Sequence, residues 1–275
     1  METAEVARAV GAAEWVAASA GLDVGDVVVL HNSNKLALRL TAGDVMARVA
    51  PLGQEVAELE VEIAQRLAAT EAPVAQLLEP RVYERDGFAV TLWKYYEPAA
   101  PQVSAADYAN ALERLHAGMR EIDVQVPRFT DRIAEAEAII ADEQRSPELP
   151  GADRAFLSHR LGSLRQAIED RSAPEQLLHG EPHPGNLLNT SNGPLFIDFE
   201  TCCRGPVEFD LADVPAAVCE HYPDIDHELL DDCRQLVLAM VAAWRWDRAD
   251  QFPDGKRLGV EFLSALRAGP PWLVL

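Results

Sequence analysis

The 275-residue chain is poor in lysine, cysteine and positive charge. Lysine occurs only at Lys35, Lys94 and Lys256, so 21 of the 24 basic side chains are arginine, and 45 acidic residues set the formal net charge at −21. That balance argues against a DNA or RNA partner, because a phosphate-backbone surface needs clustered basic residues. The deficit is uneven: residues 1–103 hold 15 acidic and 8 basic side chains (−7), and residues 104–275 hold 30 and 16 (−14). An acidic face serves solubility, and it also raises the local concentration of a cationic substrate. The four cysteines, Cys202, Cys203, Cys219 and Cys233, form no C-x-x-C pair, and the vicinal two cannot easily bridge to each other. Reduced thiols in a cytoplasmic protein are therefore expected, without a zinc site. Long apolar runs are missing too. Met1–Leu22 carries Glu2, Glu5 and Glu14 and fits neither a signal peptide nor a membrane span. With 48% hydrophobic residues the chain can bury a sizeable core, as one large domain or two lobes.

Val6, Val10, Ala13 and Ala17 fall at helical spacing and predict an N-terminal helix. The period then changes. Val27–Leu30 and Lys35–Leu40 read as strands joined at His31-Asn32-Ser33-Asn34, and Thr41-Ala42-Gly43-Asp44 turns into a third, Val45–Val49. Pro51 and Gly53 close that strand, and a helix from about Gln54 to Ala69 places Val56, Leu59, Ile63 and Leu67 on one face. Ala72-Pro73 breaks it, and strands around Arg81–Glu84 and Phe88–Trp93 follow, linked by Arg85-Asp86-Gly87. Trp93–Pro98 reads as a hinge, and Ala99–Ser104, with Pro101, as a linker. From Ala105 onward the pattern is mostly helical: Tyr108, Leu112, Leu115 and His116, then Ile133, Ile139 and Ile140, then Phe156 to Ile168, with Leu229–Trp246 and Leu258–Leu266 after an interruption at 177–200. The class is α+β, divided at 1–96, 97–104 and 105–275.

The interruption carries the chemistry. His179-Gly180-Glu181-Pro182-His183-Pro184-Gly185-Asn186 is followed, twelve residues after Asn186, by Asp198 within Leu195-Phe196-Ile197-Asp198-Phe199-Glu200. A carboxylate at the end of an apolar strand costs free energy unless it is paired or bound to a cation. Mg2+ provides that compensation, preferring hard oxygen ligands and keeping phosphate oxygens in its shell. Asn186 offers a neutral oxygen to the same or a second ion. Glu200 joins them if the backbone stays extended, since side chains at i and i+2 point the same way, and is otherwise a surface glutamate. A metal-bound nucleotide and a hydroxyl acceptor both suit this spacing, which reads as phosphoryl transfer.

These residues resemble the aminoglycoside phosphotransferase and choline kinase-like group, small-molecule kinases with a protein-kinase-like, two-lobed fold. His179, Gly180, Asn186 and Asp198 match the group's His-Gly-Asp-x-x-x-x-Asn loop and Ile-Asp-Phe/Trp segment, and Gly205-Pro206-Val207-Glu208-Phe209-Asp210-Leu211-Ala212 is similar to its Gly-x-Pro-x-x-Asp-Leu-Ala helix start. The resemblance is strongest over residues 177–213. It implies an N-terminal β-sheet lobe with one helix for ATP or GTP with Mg2+, and a mostly helical C-terminal lobe for a small-molecule acceptor. It puts Glu181 at the catalytic carboxylate position, accepting or orienting the proton of the attacking hydroxyl. Asn186 and Asp198 become metal ligands, Asp210 the brace of the catalytic loop, and His179 a structural residue bonding backbone or Asp210 through its ring. Arg48 falls where the group places a phosphate-binding lysine, with Lys35 as the fallback and Met46 packing on the base. Glu60, counted back from Leu67, is the partner acid, with Glu58 and Glu62 as rivals. Ser33 belongs to the loop over the phosphates, and Trp93 and Tyr95 to the hinge beside the nucleotide.

Three positions depart from the group: Glu181 replaces aspartate, Arg48 replaces lysine, and the loop at 31–34 has no glycine. In an unchanged loop the extra methylene of Glu181 displaces its oxygens by roughly 1 Å, which can cost on the order of a hundredfold in rate. Together these departures keep a nucleotide-binding pseudokinase open as a second reading. A metal-dependent hydrolase or oxygenase is the third, with His179, Glu181 and His183 as a ligand triplet, although Gly180, Pro182, Pro184 and Gly185 break the regular strand that triplet needs. An amino-bearing acceptor, aminoglycoside-, amino sugar- or choline-like, is expected from the charge of residues 104–275. Its candidate contacts are Asp224, Asp226, Glu228, Asp231, Asp232, Asp247 and Asp250.

Overall fold

The computed structural model describes residues 1, 3–33, 35–53, 56–100 and 102–272, so the expectations at Glu2, Asn34, Gln54, Glu55 and Pro101 lie outside the described residues. In chain order the first elements are α1 (Thr3–Ser19), β1 (Val27–Asn32), β2 (Leu36–Leu40), β3 (Val45–Pro51), α2 (Val56–Leu67), β4 (Tyr83–Arg85), β5 (Phe88–Lys94) and α3 (Ala105–Glu121). Next come α4 (Phe129–Ala141), α5 (Gly151–Asp170), β6 (Gln176–Leu178), β7 (Leu187–Thr190), β8 (Gly193–Phe196) and β9 (Cys203–Gly205). The last are α6 (Val207–Leu211), α7 (Ala216–Cys219), α8 (His227–Trp244) and α9 (Gly255–Ala268). The chain separates into two compact units, one of Met1–Asp107, Ala117–Val124 and Asn186–Glu200, the other of Tyr108–His116, Gln125–Gly185 and Thr201–Leu275.

In the first unit a five-stranded antiparallel sheet has the order β1-β2-β3-β5-β4. Alternation makes these strands two-faced: Leu36, Leu38 and Leu40 on β2 and Val45, Ala47 and Val49 on β3 are fully buried against Ala9, Ala12, Ala13, Val16 and Ala17 of α1. The small residues of α1 let the helix lie close to the sheet. The register then sets Ala37, Arg48 and Thr91 in one row and Arg39, Met46 and Trp93 in the next. β1 runs on to Asn32, with a register shift between Val29 and His31, so His31 and Asn32 pair with Ala37 and Leu36 instead of forming the expected loop. Asp86 and Gly87, both at positive φ, make the two-residue turn between β4 and β5.

Helix α2 is rotated from the predicted stripe. Ala57, Glu60, Val61, Ile63, Ala64 and Leu67 are buried, while Val56 and Leu59 are only partly so. The predicted stripe counted apolar residues alone and could not see that Glu60 has a buried partner. The hairpin of β7 and β8 completes this unit, with Leu187 opposite Phe196, and Phe196 bridges Val74 in parallel.

The second unit is helical apart from the short pair β6 and β9. Its core gathers Ile133 and Ile140 of α4, Leu157, Leu161 and Leu164 of α5, Leu236 and Met240 of α8, and Leu263 and Leu266 of α9. Each such side chain stabilises the fold by roughly 1.5–3 kcal/mol when fully buried. The four cysteines are buried free thiols, and burial pushes Cys203 up to about 12, which keeps it unreactive. Among the described residues no helix is long and apolar enough to cross a membrane. An N-terminal antiparallel sheet followed by a mostly helical remainder is the α+β class expected from the periodicities.

Candidate active site

In the second unit the chain leaves β6 at Leu178 and enters His179-Gly180-Glu181. Asp210 of α6, fully buried, accepts hydrogen bonds from the N–H groups of His179 at 2.9 Å and Gly180 at 2.8 Å. Its Oδ2 also lies 2.9 Å from Nε2 of His116, whose Nδ1 is 2.8 Å from the Tyr222 hydroxyl. A buried carboxylate needs such donors in place of water. The loop is thus joined to Asp210 through its backbone N–H groups. The His179 ring takes the Glu181 N–H on Nδ1 at 3.4 Å. Gly180 sits at φ 89°, and a Cβ there would collide with the Thr201 carbonyl, so glycine is required. The Tyr108 hydroxyl donates to the Pro182 carbonyl. Burial, with Asp213 and Asp210 nearby, raises its pKa and keeps it a phenol donor.

Glu181 is held by a residue that the sequence did not single out. Arg132 of α4 donates to the Gly180 carbonyl at 2.7 Å and pairs with the Glu181 carboxylate. The guanidinium also lies over the rings of Trp244 and Phe209, 5.4 and 5.9 Å from their centroids. Burial opposes its charge, but Glu181, Cys203 and Asp213 outweigh that and raise its pKa, so it remains cationic. Asp213, 5% exposed, is pushed well above the usual carboxylate range by burial and then by Glu181. Arg132, Glu181, His183 and Asp213 line a cavity of about 370 Å³ whose other walls come mainly from α8 and α9.

None of the seven acids expected to contact the acceptor lines that cavity. Asp226 caps α8, accepting from the N–H groups of Glu228 and Leu229 at 3.0 Å. Glu228 and Asp232 meet Arg171 at 3.4 and 3.2 Å, and Asp231 accepts from Gln235 at 3.1 Å. Asp247 pairs with Arg145 at 2.5 Å and Asp250 with Arg245 at 2.9 Å, both beside a separate cavity of about 310 Å³. A count of charge along the chain cannot tell a helix cap or a surface ion pair from a cleft. The triplet reading of His179, Glu181 and His183 is also corrected: Glu181 turns to Arg132, Nδ1 of His183 accepts from the Gly185 N–H at 3.0 Å, and among the described residues no group of three His, Cys, Asp or Glu is arranged to hold a metal.

The first unit gathers the phosphate and metal candidates. Arg48 of β3 pairs with Glu60 of α2 and, at 3.0 Å, with Asp198. Glu60 is 2% exposed, whereas Glu58 is exposed and Glu62 pairs with Arg66 at 2.7 Å on the surface, so Glu60 is the partner acid. Lys35, just before β2, pairs with Glu200. Burial raises Glu60 against the pull of Arg48, and burial followed by Arg48 lowers Lys35. Arg48 itself is raised, because Glu60 and Asp198 outweigh its burial.

Asp198 is not in a strand. β8 ends at Phe196, Asp198 adopts φ 69°, and Phe199–Thr201 forms a 3-10 turn. The extended spacing that was to align Glu200 with Asp198 is therefore absent, and Glu200 is tied instead to Lys35. A left-handed residue other than glycine costs about 1–2 kcal/mol, offset here by anchored neighbours: the Phe196 N–H donates to Pro73 at 2.8 Å and the Ile197 N–H to Asn186 at 3.1 Å. That last bond extends the hairpin register and sets Asn186 next to the segment carrying Asp198. Asn186, Asp198 and Glu200 offer only carboxylate and amide oxygens. Around them two cations, Arg48 and Lys35, stand against three carboxylates, Glu60, Asp198 and Glu200. A hard divalent cation fits that donor set and its residual negative charge.

The remaining nucleotide candidates fare unevenly. Met46 shares the sheet face of Arg48, as expected. Trp93 is 2% exposed and donates from Nε1 to Thr91 at 2.8 Å, so its ring is buried. Tyr95 is covered by the Arg39 guanidinium, 4.0 Å from its ring centroid. Ser33 is exposed, its N–H on the Lys35 carbonyl at 3.0 Å.

A sequence model of the phosphotransferase enzyme family matches residues 29–252, which is most of the chain. The chain belongs to that family. No curated protein matches it significantly. Among solved structures, this phosphotransferase is similar to a choline/ethanolamine kinase family protein from Mesorhizobium loti at 18% identity and a TM-score of 0.67, over 97% of this chain and 94% of that one. An amicoumacin kinase in complex with AMP-PNP, Ca2+ and Ami aligns at 14% identity and a TM-score of 0.71, covering 98% and 96%. The GDP and kanamycin complex of APH(2")-IIia aligns at 17% and 0.70, covering 97% and 99%. At these identities the likeness establishes the fold, which is the protein-kinase-like fold of small-molecule kinases.

Proposed function

We propose that this phosphotransferase transfers the γ-phosphoryl group of ATP or GTP, with Mg2+, to a hydroxyl of a small molecule in the cytoplasm. The observation that carries the reading is the ion-pair chain from buried Glu60 through Arg48 to Asp198. Arg48, oriented by Glu60, would grip phosphate oxygens bidentately, a geometry suited to guanidinium. Lys35 supplies a second positive charge and Met46 an apolar surface for the base. Asn186 and Asp198 would hold the cation, which when bound neutralises charge on phosphate oxygens.

In the second unit, Glu181 accepts or orients the proton of the acceptor hydroxyl. Phosphoryl transfer gains more from positioning than from base strength, and Arg132 supplies that positioning by fixing the carboxylate. The longer side chain that departs from the family pattern at 181 is thus one with a dedicated partner.

Structural relatives include a complex with kanamycin and a choline/ethanolamine kinase family protein, which is precedent for an amino-bearing acceptor. In this chain the acids on the cavity are Glu181, tied to Arg132, and Asp213, whose carboxyl burial pushes well above the usual range. The test is ATP-dependent phosphorylation across hydroxylated metabolites and antibiotics, read by mass spectrometry for an added phosphate. Clear nucleotide binding without turnover on any acceptor would instead identify a pseudokinase.

A further inference from the structure

We infer that the acceptor carries a large apolar body beside its reactive hydroxyl and is not a polycation. The inference rests on the phosphotransferase reading and names the substrate class of that same site. Val237, Met240, Val241 and Trp244 recur at i, i+3, i+4 and i+7 along α8, and all four line the 370 Å³ cavity together with Leu258 and Phe262 of α9. Val237 and Met240 are buried in the core behind the wall, while Val241 and Trp244 are only partly buried and face a space within the size range of small-molecule sites.

The charges on the cavity are already matched inside the protein. Arg132 engages Glu181 and the Gly180 carbonyl. Arg245 binds both carboxylate oxygens of Asp250, at 2.9 and 3.1 Å, and its guanidinium lies 4.4 Å from the Phe252 ring centroid. Asp213 is buried, and burial disfavours its charged form. An ammonium entering this space would lose its hydration and displace an existing ion pair to regain a partner, whereas an apolar body gains by leaving water. The catalytic loop contributes Glu181 and His183 as the polar part of the lining, where the acceptor hydroxyl is recognised.

The test is calorimetric binding to the full-length protein of 2-(naphthalen-2-yl)ethanol, choline and kanamycin, beside the same titration with Mg2+-ATP. The naphthyl alcohol should bind wild type about tenfold or more tighter than either cation. Val241→Asp should weaken the naphthyl alcohol by about tenfold or more while leaving ATP affinity unchanged. Tighter binding of choline or kanamycin by wild type overturns the inference, and needs no variant. So does naphthyl alcohol binding that is unaltered in a folded Val241→Asp protein. Absence of ATP binding with the ligand preference intact removes the kinase reading and leaves the apolar site standing.

Discussion

Arg132 and Glu181, 49 positions apart, form the ion pair that fixes the carboxylate of the proposed catalytic loop, and the same guanidinium holds the adjoining Gly180 carbonyl. One arginine thereby sets both the path of the loop and the direction of its acid. Arg132→Met keeps most of the stem and deletes both interactions. Turnover should fall about a hundredfold through misplacement, with a stability loss of about 1–3 kcal/mol for the groups left unpaired, read by steady-state kinetics and urea melts. Glu181→Gln should lower the chemical step by a similar factor of about a hundred and leave nucleotide affinity unchanged. Equal losses in binding and turnover would assign Glu181 a structural role.

Asp210 braces the same loop from α6. Asp210→Ala strands the N–H groups of His179 and Gly180 and removes the partner of His116, all of them buried. The expected destabilisation is about 3–5 kcal/mol. Asp210→Asn keeps one acceptor oxygen and should fall between that and wild type in the same urea melt.

Asp213 makes stability depend on pH. Burial holds its folded carboxyl well above the ordinary 3.8, so over that interval the native state binds a proton that the unfolded chain has lost. The stability is fully present below about pH 4, declines as pH rises through the raised folded value, and stays lost above it. Asp213→Asn removes the titration. Its urea midpoint should therefore gain on wild type as pH rises, and a difference that is flat with pH would rule this account out.

Arg48 tests the nucleotide half. Arg48→Met should weaken ATP binding by about tenfold or more, the loss expected for charge-assisted hydrogen bonds. Isothermal titration checks it, and unchanged affinity would remove Arg48 from the phosphate site.

The sequence made parts of this site legible and hid others for physical reasons. Short apolar runs bounded by turn residues made β2 and β3 legible, Met46 and Arg48 share a face of β3, and the family's spacing from Leu67 led to Glu60, the glutamate that pairs with Arg48. The stripe on α2 was misread because an ion pair had turned a charged residue inward. The backbone at Asp198 was misread because the apolar run before it resembles a strand, while the left-handed turn that ends the strand leaves no local pattern. Arg132, His116 and Tyr108 carry no motif, and reach the loop only through helices packed far along the chain. The acids before and within α8 cap that helix or pair with Arg171, contacts that a count of charge along the chain does not show.

The central claim is metal-assisted phosphoryl transfer built on Asp198. Its most direct test is a single-turnover assay with ATP and saturating Mg2+, comparing wild type with a folded Asp198→Asn protein and measuring phosphate added to the acceptor by mass spectrometry. Phosphorylated acceptor from wild type and none above background from Asp198→Asn is the predicted result. Near wild-type turnover by Asp198→Asn would contradict the assignment.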